Sequence, residues 1–132
     1  MGKCKILFPL AYLVLGAMLL AAPASRAADG AARYAHDCAV CHGVSGVGDG
    51  PQGAKLDPRP ANLRGLAARN GGLFPAERVR RIIDGRDHAR GHGDGEMPVW
   101  GHEYRRALAA AGERMVQDNL DALVKYLESM QD

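Results

Sequence analysis

Cysteine is scarce in this chain of 132 residues: three in all, at positions 4, 38 and 41. A structural zinc site needs a second pair of ligands at close spacing. None follows Cys38 and Cys41, and His88, His92 and His102 are dispersed along a glycine-rich stretch. Aromatic residues make up only 5%, and Leu, Ile, Val and Phe thin out between residues 36 and 98. A domain this small and this poor in apolar side chains commonly enlists a disulfide, a metal or a cofactor to complete its core. Alternation of period two is missing, as is any internal repeat, which leaves a helical, loop-rich domain.

A basic domain is missing too, although the raw count, 17 Lys and Arg against 15 Asp and Glu, suggests a mild positive excess. Lys3 and Lys5 precede "ILFPLAYLVLGAMLLAA" (6–22), which carries no charge, and "PASRA" then offers Ser25 and Ala27 as the small residues of a cleavage site. That order is expected of a secretory signal peptide over 1–27, leaving a domain of 28–132 and a periplasmic location. Ala22-Pro23-Ala24 gives a second place for the cut. An uncleaved membrane anchor competes, but 17 residues interrupted by Pro9 and Gly16 sit at the lower edge of a bilayer span. Cys4 lies before the apolar run and leaves with it. Taking Lys3, Lys5 and Arg26 from 17 basic residues leaves 14 against 15 acidic, near −1. Nucleic acid is therefore not an expected partner.

Three helices are legible. Residues 29–41 run into the cysteine pair with Gly30, Tyr34 and Cys38 on one face. "PAERVRRIIDG" (75–85) has Pro75 at its start, Val79, Ile82 and Ile83 on one side and Gly85 as its stop. Residues 113–130 align Val116, Leu120, Leu123, Leu127 and Met130 in one stripe. The Gly- and Pro-rich stretches 42–63 and 85–95 are loops. "GDGPQG" (48–53) matches a dinucleotide-binding pattern only literally, since no strand precedes it and Pro51 spoils a helix start. Seven arginines between 78 and 106 are scattered enough to read as a solvated face.

The chemistry concentrates in "CAVCHG" (38–43). Cysteines at i and i+3 of a helical turn point the same way, close enough to reach two neighbouring substituents of one planar ligand. Haem's two vinyl groups meet that description, each taking a thiol to form a thioether. His42 is turned about 100° further round the helix, where its imidazole can be aimed at the iron. C-x-x-C-H is the sequence signature of c-type haem attachment. A disulfide, half a zinc site and a redox dithiol compete, the last lacking the strand and βαβ context it requires. For the sixth iron position a methionine thioether is soft and raises the potential. Met130 falls on an apolar stripe and Met115 lies beside it, whereas Met97 stands in a glycine-rich loop, held extended by Pro98. Met97 is the expected ligand and His92 its rival.

With "CAVCHG" and "GEMPVWG" placed, the chain resembles the class I c-type cytochromes, and is more similar to small bacterial members than to the mitochondrial carrier. Gly30 and Tyr34 resemble the glycine and aromatic of that family's first helix. Leu123 and Tyr126 of "LVKYL" resemble the residues that cross over the glycine. The resemblance implies an all-α cytochrome c fold, three to five helices wrapped around one covalently attached haem c. It implies axial ligation by His42 and Met97, and "PRPANLRGL" implies Pro60, with Pro58 as the alternative, as the carbonyl that receives the His42 Nδ1–H. Trp100 is expected near the haem edge or a propionate. The function implied is one-electron transfer between redox protein partners, without substrate chemistry. A haem protein binding a gas or peroxide at a displaceable sixth site, and a fixed subunit of a dehydrogenase or oxidase complex, are the alternatives.

Overall fold

Five helices order the residues that the computed structural model describes, 30–88, 97–110 and 112–132, with no strand among them. The segment expected to be a signal, 1–27, and most of the 85–95 loop, His92 included, lie outside the described residues. No helix of the described residues is long and apolar enough to cross a membrane.

Helix α1 (30–42) is not uniform. Over Tyr34–Cys38 it widens into a π-helical turn, with the Ala39 N–H reaching back to the Tyr34 carbonyl, and it closes as an α-helix over Ala39–His42. The extra residue in that turn lets Tyr34, Asp37, Cys38 and Ala39 all turn inward. The last carbonyls of the helix are then covered by the glycine-rich loop that follows. Gly48, Gly50 and Gln52 donate their N–H groups to the carbonyls of His42 (2.8 Å), Cys41 (3.1 Å) and Val40 (3.0 Å).

After a single 3₁₀ turn at Gly53–Lys55 come α2 (Leu66–Arg69), α3 (Ala76–Asp84), α4 (Trp100–Ala107) and α5 (Glu113–Ser129). Gly85 stops α3 in the left-handed region at φ 80°, where a side chain is disfavoured, and the Arg86 N–H reaches the Arg81 carbonyl across it. Helices α2 and α4 are not among the helices expected from the sequence. In α4 the apolar marks are only Trp100, Tyr104 and, at its end, Leu108, spaced by four along an otherwise charged segment.

Val79 and Ile83 of α3, Tyr104 of α4 and Val116, Leu120, Leu123, Val124 and Leu127 of α5 meet Tyr34, Cys38 and Ala39 of α1 in one core. Met130 is half-buried against this core, and Met115 is 45% exposed. Helix α1 crosses α5 at Gly30, where a Cβ would collide with the Ala122 carbonyl and lie 3.0 Å from the Tyr126 Cβ. The rings of Tyr34 and Tyr126 close the crossing at 5.3 Å. Of the two residues expected over the glycine, Tyr126 is there, but Leu123 turns fully into the core and the Ala122 backbone takes its place.

Candidate functional site

Cys38, Cys41 and His42 share the final stretch of α1, which the loop 43–52 caps from behind. Cys38 is buried, Cys41 half-buried, and the two are not bonded to each other. Burial, and then the charges of Asp37 and Cys41, pushes the Cys38 thiol up to about 12. It is therefore neutral, the opposite of the stabilised thiolate that a redox dithiol needs. His88 and His102 are exposed, and no group of three His, Cys, Asp or Glu gathers among the described residues.

His42 is 4% exposed, and its Nδ1–H donates to the Ala61 carbonyl at 3.0 Å. Burial holds its pKa below the ordinary value, opposed in part by that carbonyl, so the ring is neutral. With the proton fixed on Nδ1, the lone pair is carried by Nε2, the tautomer required of an iron ligand. The acceptor corrects the expectation of Pro60 or Pro58 by one residue or more. The Pro60 carbonyl lies against Gly48, where a Cβ would collide with it. Successive carbonyls of an extended backbone point to opposite sides, so a shift of one residue exchanges which of them faces the histidine.

The strand of chain bearing Ala61 is itself tied down. Leu63 N–H reaches the Gly46 carbonyl at 2.7 Å. The Gln131 side chain, just past α5, accepts from Ala67 N–H (2.9 Å) and donates to the carbonyls of Leu63 (2.8 Å) and Leu127 (2.7 Å). Nothing in the sequence signals Ala61, because a backbone carbonyl carries no side-chain signature.

Met97 is half-buried, three residues before α4 begins, and Trp100 opens that helix. The Trp100 ring stands 6.0 Å from Tyr104. Its Nε1–H is buried without an acceptor among the described residues. An orphaned buried donor costs on the order of 1–3 kcal/mol, so the site has room for an acceptor that the described residues do not supply. A haem carboxylate is such an acceptor, and with the neutral His42 and the paired thiols the residues present fit that group. Pro98 is exposed and Val99 half-buried beside them.

Nothing in the sequence marks Asp37, immediately before Cys38, for a role. Its carboxylate is buried and receives the Tyr104 hydroxyl at 2.6 Å, fastening the cysteine turn to α4. Five of the seven arginines between 78 and 106, Arg80, Arg81, Arg86, Arg105 and Arg106, are ion-paired within the chain.

Residues 27–131 match the family model for cytochrome c. No curated protein and no solved structure matches the chain.

Proposed function

Since the chain belongs to the cytochrome c family and so carries covalently bound haem c for electron transfer, we propose that it is a periplasmic carrier passing single electrons between two redox proteins. Cys38 and Cys41 would hold the haem by thioethers, and His42 and Met97 would supply the ligands to its iron. The haem supplies a one-electron Fe(II)/Fe(III) couple. The chain's part is to hold that couple still. The observation that carries the proposal is the buried His42, kept neutral by its burial and oriented by the Ala61 carbonyl, within the turn that bears both cysteines. Trp100 Nε1–H, buried at the start of α4, would offer its hydrogen bond to a haem carboxylate. A ligand set that does not change between oxidation states opposes transfer with little reorganisation, and no general acid or nucleophile is needed.

The test is the absorption spectrum of the reduced holoprotein before and after carbon monoxide. An unchanged spectrum is expected for the wild type, and a carbon monoxide adduct for Met97→Ala. An adduct in the wild type would move the protein to the ligand-binding class. Copurification of the native protein with a large membrane complex would make it a fixed subunit instead of a diffusing carrier.

A further inference from the structure

Asp84 is the last residue of α3, and its side chain is fully buried. A carboxylate there faces the negative end of its own helix, and burying it carries a desolvation cost as well. Helix α3 gains nothing from it. Its partners are Arg86 Nε, two residues on, at 2.6 Å from one oxygen and, from α4, Arg105 Nη2 at 2.8 Å from the other. Arg105 is held in turn by Glu113 at the start of α5, at 3.1 Å.

The carboxylate also presses on the first turn of α4. A Cβ on Gly101 would collide with Asp84 Oδ1 and lie 2.7 Å from the Asp84 carbonyl oxygen. The next residue repeats the arrangement, since a Cβ on Gly85 would collide with Val99 Cγ1. Residues 84–85 and 99–101 are thus interlocked. Met97 stands two residues from this lock, and Pro98 between them removes a backbone freedom.

We infer that Asp84 is a positioning residue for Met97: paired with Arg86 and Arg105, it fixes the Val99–Gly101 turn and so keeps the thioether on the iron. This rests on the assignment of Met97 as ligand. An added ligand must displace Met97, so its apparent affinity is its intrinsic affinity reduced by the fraction of molecules that are open. Loosening the lock raises that fraction and tightens the added ligand.

The experiment titrates imidazole into the ferric, full-length holoprotein and follows the thioether-to-iron charge-transfer band, for the wild type and for Met97→Ala, Asp84→Asn, Arg105→Gln and Arg105→Lys. Denaturant midpoints are recorded for each. Asp84→Asn is expected to bind imidazole about tenfold more tightly than the wild type. Arg105→Gln should shift in the same direction, and Arg105→Lys should return toward the wild type. Should Asp84→Asn fail to yield holoprotein, the Arg105 pair decides, because it alters only the half-buried end of the lock. Equal imidazole affinity in the wild type and Asp84→Asn, with Met97→Ala much tighter, overturns the inference while leaving Met97 as ligand, even if the midpoint falls. A wild type without the band, binding imidazole as tightly as Met97→Ala, overturns both.

Discussion

Tyr104 donates its hydroxyl to Asp37 in the core, with the Arg33 guanidinium 4.9 Å above its ring and 4.0 Å from the same carboxylate. The second Asp37 oxygen meets His36 Nδ1 at 2.6 Å, and that imidazole is largely exposed. Burial first, and then the Asp37 hydrogen bond, drives the Tyr104 phenol far above its ordinary value. An unfolded phenol loses its proton near pH 10, and the folded one does not. Below pH 10 the two states bind the same proton and stability is unaffected. Above it the unfolded chain binds fewer protons, so stability falls by about 1.4 kcal/mol per pH unit for each such tyrosine. Tyr34, also raised by burial, behaves alike. Tyr104→Phe should lose about 1.5–3 kcal/mol at pH 8, because Asp37 loses its donor. It should also show a shallower decline between pH 10 and 11 than the wild type, by one proton. Denaturant midpoints at pH 8, 10 and 11 check both.

At the scale of elements, the crossing of α1 and α5 is set by one residue without a side chain. Ala is the better helix former by about 1 kcal/mol, yet at Gly30 its methyl would meet the Ala122 carbonyl. The backbones must separate, which costs about 1–3 kcal/mol and outweighs the gain. Gly30→Ala is expected to lower the guanidinium midpoint of the holoprotein with the slope unchanged. Three of the five helices were legible because an apolar stripe or a terminal signal marks them. In α5 the buried Val116, Leu120, Leu123 and Leu127 are the expected stripe. Helix α4 escaped because it is held through particular contacts: Tyr104 on Asp37, Arg105 on Asp84 and Gly101 under the Asp84 carboxylate. Asp84 itself left a trace in the sequence, an acid just before the glycine stop, where the helix dipole disfavours it.

At the scale of the molecule, the described residues are unevenly packed. Among them the eleven buried residues of the core come from α1, α3, α4 and α5, and the loop 43–65 contributes only half-buried Leu63 to it. Val44 and Leu73 stand 85% and 74% exposed. A core of this size supplies little surplus over chain entropy, so the covalent haem belongs to the fold as well as to the function. A Cys38→Ser, Cys41→Ser double variant is expected to lose most of its far-ultraviolet helix signal and its cooperative thermal transition. A native-like transition would show that the helices stand without the haem. The ion-paired arginines are mostly on the surface, where each pair contributes about 0–1 kcal/mol, and Asp84 is the exception because its carboxylate is buried.

By itself the sequence determined what the proposed haem attachment draws on: two thiols and an imidazole in one helical turn, a scarcity of core residues that favours a cofactor, and the stripes that become α3 and α5. Those features are local, fixed by residue type and by a spacing of three to four along the chain. Tertiary structure alone decided that Ala61 and not Pro60 faces His42, that Asp37 reaches Tyr104 over 67 residues, and that Asp84 locks the turn beside Met97. Carbonyl direction and burial depend on how distant segments pack, and no periodicity in one segment records where another will lie.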